Sequence, residues 1–215
     1  MGQVDILGMT ISWYGEACFL LESSGTRVLI EPPSKESGLA SPRLKSDILI
    51  YRSHDEIEQV FGHEVPFIIS GPGEYEIKNI NITGVNDNDP STSSGQANTI
   101  YIIEIDDIKI AHLGFLKKDP GNEKLELIGN PDIALVPAGG SPILDAEMAM
   151  KLINKMEPKI AIPMLYDVKG LKIKRAPVAE FIKESEAKES PIAKLTVKKK
   201  DLVEGETKIV ILDKI

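Results

Sequence analysis

The order of apolar segments along this chain predicts an α/β (α+β) fold, a four-layer αββα sandwich with two sheets face to face and helices outside. Two observations carry that expectation. Short strand-like runs crowd the first half, and helical periodicity appears only in the second half, between buried strand-like runs. A length of 215 residues suits one domain, 1–215, and no linker or internal repeat divides it.

Residues 10–14, 17–22 and 27–30 are short and rich in apolar side chains, and Ser23-Ser24-Gly25-Thr26 between the last two reads as a hairpin loop. Residues 47–51 form a continuous apolar run of the kind buried on both faces of a sheet. Residues 67–70 and 80–85 follow as strands, and Gly71-Pro72-Gly73-Glu74 between them reads as a structural turn. Asp106-Asp107 is a tight turn joining strands 99–105 and 108–113. The polar stretch 86–98 is a loop.

In the second half, Asp145 caps a helix running to Met156, with Ala149, Leu152, Ile153 and Met156 on one buried face and Pro158 closing it. Strands 133–136 and 159–162 flank that helix, the pattern of a βαβ unit. A short helix at 177–183 and strands at 195–197 and 208–212 complete the chain. Pro137-Ala138-Gly139-Gly140 is a strand-end turn.

A net charge of −8 disfavours nucleic acid and anionic membranes as partners. The basic runs 169–175 and 198–200 read as solvated faces. The single cysteine, Cys18, lies in an apolar run and reads as a buried, inert thiol, with no disulfide or thiolate metal site. Without a signal-like N-terminus or a membrane-length apolar run, a cytoplasmic location is expected.

Three stretches resemble metallo-β-lactamase-fold hydrolases, specifically the small stand-alone bacterial branch with a G-P-G-E-Y-E segment. They are Trp13-Tyr14-Gly15-Glu16-Ala17-Cys18-Phe19-Leu20, Gly71-Pro72-Gly73-Glu74-Tyr75-Glu76-Ile77 and Ile162-Pro163-Met164-Leu165-Tyr166. The resemblance implies the αββα sandwich and, at its strand ends, a cluster of His and Asp holding one or two divalent metals. Such a centre uses imidazoles and carboxylates to hold ions about 3.5–4 Å apart, so that a bound water ionises near neutral pH.

Matched motif by motif, this chain departs from that ligand set. The family's Gly-His becomes Gly15-Glu16, and its Asp-Pro becomes Glu31-Pro32. Its H-x-H-x-D-H falls on residues 53–59, where one register offers His54, Glu56, Glu58 and Gln59 and the other Ser53, Asp55, Ile57 and Glu58. Asp89 stands near the next ligand position, which has no His. H-L-G-D becomes His112-Leu113-Gly114-Phe115, and I-P-M-H-Y becomes Ile162-Pro163-Met164-Leu165-Tyr166, so two ligands are replaced by Phe115 and Leu165. The chain has only three histidines, His54, His63 and His112. His54 and His63 read as loop residues, and His112 as a packing residue behind the site.

The expectation is a catalytically degenerate family member that has lost its zinc. Its vestigial cleft would be formed by Glu16, Glu31, His54, Asp55, Glu56, Glu58, Asp89, His112, Phe115, Leu165 and Tyr166. A small molecule or protein partner would bind in or near it, and a homo-oligomer is compatible with the sequence. Phe115 and Leu165 should fill the metal volume together, and the crowded carboxylates should favour cations, including weakly held Mg²⁺, Mn²⁺ or Ca²⁺. Two alternatives stand beside this. One is a divergent hydrolase holding Mg²⁺ or Mn²⁺ through Glu31, Asp55, Glu56, Glu58 and Asp89. The other is a structural or assembly subunit.

Overall fold

Three of the hairpins turn on two consecutive residues in the left-handed region, and they set the strand register of both sheets. They are Ser24-Gly25 (φ 49° and 81°), Lys78-Asn79 (52° and 62°) and Asp106-Asp107 (51° and 61°). Two left-handed residues in a row give a turn whose twist matches that of the strands it joins. The computed structural model describes residues 8–52, 66–87, 98–188 and 190–215.

In chain order the strands are β1 (Met9–Trp13), β2 (Phe19–Ser23), β3 (Thr26–Ile30), β4 (Ile48–Ile50), β5 (Phe67–Ile69), β6 (Gly73–Ile77), β7 (Ile80–Asn86), β8 (Thr99–Ile105) and β9 (Ile108–His112). Then come helix α1 (Asn122–Ile128), β10 (Ile133–Pro137), α2 (Ala146–Met156), β11 (Ile160–Met164), α3 (Val178–Ser185), β12 (Leu195–Val197) and β13 (Lys208–Ile209). They build two mixed sheets, a six-stranded one in the order β12-β1-β2-β3-β4-β5 and a seven-stranded one in the order β13-β11-β10-β9-β8-β7-β6.

The central core lies between the sheets. Ile11, Trp13, Phe19, Leu21, Ile30 and Ile50 from the first meet Ile82, Tyr101, Ile103, Ile110, Leu135 and Ile162 from the second. Period-two alternation sends the intervening residues outward. Ile100, Ile102, Ala111, Ala134 and Val136 thus form a second core with Ile128 of α1, Leu152, Ile153 and Met156 of α2, and Phe181 of α3. All three α-helices among the described residues therefore cover the outer face of the seven-stranded sheet. Cys18, Leu20, Leu29, Leu49 and Tyr51 form a smaller cluster of their own, fed by alternate residues of β2, β3 and β4. None of the described helices is long and apolar enough to cross a membrane.

β10, α2 and β11 form the expected βαβ unit, with β10 and β11 parallel and Ile133 opposite Ile160. Asp145 caps α2 by accepting from the Met148 N–H at 2.8 Å. Glu157 turns left-handed (φ 46°) at the other end and donates to the Ile153 carbonyl, just before Pro158.

Two elements differ from the sequence expectation. The turn expected at 71–74 is confined to Gly71-Pro72, because Gly73–Ile77 is strand β6, paired antiparallel with β7. Its side chains are largely exposed at the sheet edge, so it lacks the apolar run that marks the other strands. Tyr101 holds the turn, its hydroxyl accepting from the Gly71 N–H at 2.8 Å. Helix α1 was not expected, since it is seven residues long and buries only Ile128.

Asp145→Ala removes the α2 cap without touching the core. It should cost about 1 kcal/mol, read as a lower urea midpoint at unchanged slope.

Candidate functional site

Parallel strands end together, and here their carboxyl ends open into one cleft. The segments after β3 (Glu31, Pro32), β4 (Tyr51, Arg52), β9 (Phe115) and β10 (Pro142, Ile143) line it, joined by Glu16, Asn98, Ile173 and Arg175. Its volume is about 470 Å³, and crevices at strand carboxyl ends are where open α/β sheets usually bind ligands. Several of these exits need left-handed backbone on ordinary residues: Glu16 (φ 48°), Glu31 (43°) and Leu165 (63°). Such conformations cost energy and persist where surrounding contacts over-determine them.

Those contacts are visible at each exit. The Glu16 carbonyl accepts from the Trp13 indole N–H at 2.9 Å and from the Leu165 N–H at 3.2 Å. The Glu31 N–H donates to the Ile50 carbonyl at 2.8 Å. Asn98 ties the β9 exit, its amide N–H donating to the Leu113 carbonyl and its Oδ1 accepting from the Phe115 N–H at 2.8 Å. Gly139 admits no side chain, because a Cβ there would stand 1.8 Å from the Leu165 carbonyl oxygen.

Two of the three described carboxylates that line the cleft, Glu16 and Glu31, each face a guanidinium. Glu16 receives a forked contact from Arg175, Nη2 to Oε2 at 3.0 Å and Nε to Oε1 at 3.3 Å, and both side chains are only 5% exposed. Glu31 accepts from the Arg52 backbone N–H at 3.1 Å, while the Arg52 Nε stands 3.6 Å from its other oxygen. The Arg52 Cζ rests 3.4 Å from the centre of the Phe115 ring, a cation–π contact. Burial pushes the Glu31 carboxyl up from 4.5 to about 7, against the opposing pull of the Arg52 charge and N–H.

His112 lies behind the cleft, fully buried. Its Nε2 is 2.9 Å from the Ala17 carbonyl, and its Nδ1 is 3.2 Å from the Gly114 N–H. The neighbouring backbone thus assigns the neutral tautomer with the proton on Nε2. Burial lowers its pKa from 6.5 to about 4, the bond to Ala17 opposing.

Of the expected cleft residues, the structure brings together Glu16, Glu31 and Phe115 along the lining. Leu165 and Tyr166 are instead fully packed in the central core. Tyr166 stacks 4.7 Å from Trp13 and donates to the Leu212 carbonyl at 3.0 Å. Phe115 packs against the same core but is only partly buried, with Arg52 over it. His54, Asp55, Glu56, Glu58, His63 and Asp89 lie outside the described residues.

The expectation of a solvated basic face at 169–175 is corrected at its last member. Lys169, Lys172 and Lys174 are exposed, whereas the Arg175 side chain is buried on Glu16. The described lining is also not acidic as a set, because Glu16, Glu31 and Glu36 are matched by Arg52, Lys117 and Arg175. Sequence reasoning missed both arginines. Arg175 carries no pattern separating it from the lysines beside it, and Arg52 only the weak cue of following a buried strand.

These donors do not fit a zinc centre by themselves. The Glu16 carboxylate is taken by Arg175, both nitrogens of His112 face backbone partners, and Phe115 and Leu165 offer no lone pairs. Among the described residues no group of three or more His, Cys, Asp or Glu converges.

Two parallel-edged sheets with helices outside and a strand-end cleft are the frame of the metallo-β-lactamase fold, and similarity to known proteins agrees. The profile of the Beta-lactamase superfamily domain matches residues 10–165, and the chain belongs to that superfamily. It is 28% identical over 218 residues to a UPF0173 metal-dependent hydrolase of Methanosarcina mazei, covering 84% of this chain and 92% of that one. A UPF0173 protein of Pyrococcus abyssi is 26% identical over 188 residues, covering 75% of this chain and 85% of its own. Among solved structures, a Thermotoga maritima protein to which zinc-dependent hydrolase activity of the metallo-β-lactamase superfamily is ascribed superposes with a TM-score of 0.76 at 28% identity. That superposition covers 95% of this chain and 98% of the other.

Two predictions follow from the ionic groups. Arg175→Met strands Glu16 as an uncompensated buried charge and should cost about 3–5 kcal/mol in urea unfolding. Glu16→Gln combined with Arg175→Met should recover part of that loss, and equal losses in the single and double variants would count against a true pair.

Glu31 and His112 act oppositely on pH dependence. Glu31 holds its proton more tightly when folded, so its contribution is complete below 4.5 and lost as pH rises to about 7. His112 holds its proton less tightly, so its contribution is complete above 6.5 and lost as pH falls to about 4. Glu31→Gln should therefore gain stability relative to the native chain, by about 3 kcal/mol, between the lower and upper ends of its window. His112→Gln should lose a comparable amount relative to the native chain across its own window. Urea midpoints measured from pH 4 to 8 test both, and differences independent of pH would refute the assignments.

Proposed function

We propose that this chain is a family member that has lost its zinc site and uses the strand-end cleft to bind a small molecule or protein partner. The observation that carries this reading is the pair of arginines on the cleft wall. Arg175 occupies the Glu16 carboxylate and Arg52 stands beside Glu31, so cations built into the chain already sit at two of the three described cleft carboxylates. A divalent ion placed there would have to displace a guanidinium and lose part of its hydration beside Phe115. The absence of a nucleic-acid partner accords with the net charge of −8.

A divergent hydrolase holding Mg²⁺ or Mn²⁺ through carboxylates is the second reading. The names of the relatives favour it, since several 24–28% identical along most of their length are called metal-dependent hydrolases. It would draw on Asp55, Glu56, Glu58 and Asp89 beside Glu31.

Elemental analysis of protein purified without added metal and dialysed against metal-free buffer separates the two. Zinc and iron well below one per chain are expected, with no hydrolysis of a generic ester or phosphodiester. Near-stoichiometric zinc or iron would sink the proposal. Hydrolysis that requires added Mn²⁺ or Mg²⁺ and stops with chelator would establish the second reading.

A further inference from the structure

The two arginines of the cleft are not equivalent. Arg175 is buried and its fork is spent on Glu16. The Arg52 side chain is 31% exposed, its Nε is beyond hydrogen-bond reach of Glu31 at 3.6 Å, and its guanidinium donates to no described residue. What positions it is the face of Phe115, 3.4 Å below Cζ. A guanidinium held by its face has in-plane N–H groups that, among the described residues, are left free, and those edges match a carboxylate or phosphate bidentately. The cleft wall combines apolar or aromatic Pro32, Tyr51, Pro142, Ile143 and Ile173 with polar and charged residues, Lys117 among them. A volume of about 470 Å³ suits a small organic molecule.

We propose that the cleft recognises a small molecule carrying a carboxylate or phosphate monoester on an apolar body, the oxyanion seated on Arg52 and the body along Phe115, Pro142 and Ile143. The assignment rests on the reading of the cleft as a metal-free binding site. Glu31 competes weakly for Arg52, because its separation of 3.6 Å is too long for a hydrogen bond. Glu16 does not compete, because both its oxygens are engaged by Arg175.

Calorimetric titration of chelator-treated protein with benzoate, phenyl phosphate and benzylamine tests the assignment. At least one oxyanion probe should saturate the native chain in the millimolar range or below, and benzylamine should not. Arg52→Gln should weaken that binding about tenfold or more, whereas Arg52→Lys, which keeps the charge without the fork, should fall between. Circular dichroism establishes that each variant is folded. Undiminished binding by folded Arg52→Gln, preference for benzylamine, or failure of both oxyanions up to about 20 mM would overturn the assignment. Oxyanion binding that appears only after Mn²⁺ or Mg²⁺ is added, and that Arg52→Gln leaves unchanged, would overturn the metal-free reading beneath it as well.

Discussion

A guanidinium forked onto a carboxylate, with both groups nearly sealed from water, is the constraint around which the cleft end of this protein is organised. Glu16 and Arg175 are 159 residues apart in sequence, so their contact joins the first strand turn to the segment leading into α3. The same Glu16 uses its carbonyl to receive Trp13 and Leu165. One residue therefore connects β1, the exit of β11 and the segment before α3. A buried pair of this kind is weak evidence for added stability, because desolvating both charges offsets most of their attraction. Its effect lies in what it forbids. An arrangement that separated the two groups would leave one charge buried alone, and the chain segments carrying them are held to one geometry.

Two carboxylates at the same mouth thus have different electrostatic fates. Glu16 meets a bidentate partner. Glu31 meets a backbone N–H and a guanidinium a little too far to bond, while its burial works against the charged form. The difference follows from how each arginine is held. Arg175 is enclosed with its carboxylate, whereas Arg52 is drawn over the Phe115 ring. The aromatic ring after β9 has a direct part in this difference. It supplies the platform on which an exposed cation can be fixed beside the cleft.

Much of the fold was legible in the sequence because its signals are local. The Asp106-Asp107 turn, the Asp145 cap and the buried face of α2 each follow from a few adjacent residues. Strand β6 was hidden because an exposed edge strand needs no apolar alternation, and α1 because a short polar helix with one buried residue carries no periodicity. At the site, motif comparison picked out Glu16, Glu31 and Phe115 at the lining and His112 behind it. The arginines that define its electrostatics were not legible. Burial of Arg175 depends on a contact with a residue near the other end of the chain, and no pattern in the run around it encodes that distance. Leu165 and Tyr166 were placed at the cleft by their motif but face the core, since the left-handed turn at Leu165 directs them inward.

The described strand ends are held by contacts within the chain itself. Ala17 is fastened to His112, Gly114 to His112, Glu31 to Ile50, and Leu165 to Glu16, in every case through at least one backbone group. None of these bonds passes through a side chain that a metal would need free, except at His112, whose two nitrogens are both committed. The His112 imidazole is part of the scaffold behind the cleft. Its neutral form, favoured by burial, both donates to Ala17 and accepts from Gly114, a combination that neither an imidazolium nor a metal-bound ring could provide. Exchanging Phe115 or Leu165 for a ligand residue would therefore alter individual side chains while leaving the Arg175 fork and the His112 bridge in place. The described part of the mouth is stabilised by a connected set of contacts, and exchanging any one of these side chains leaves the others in place.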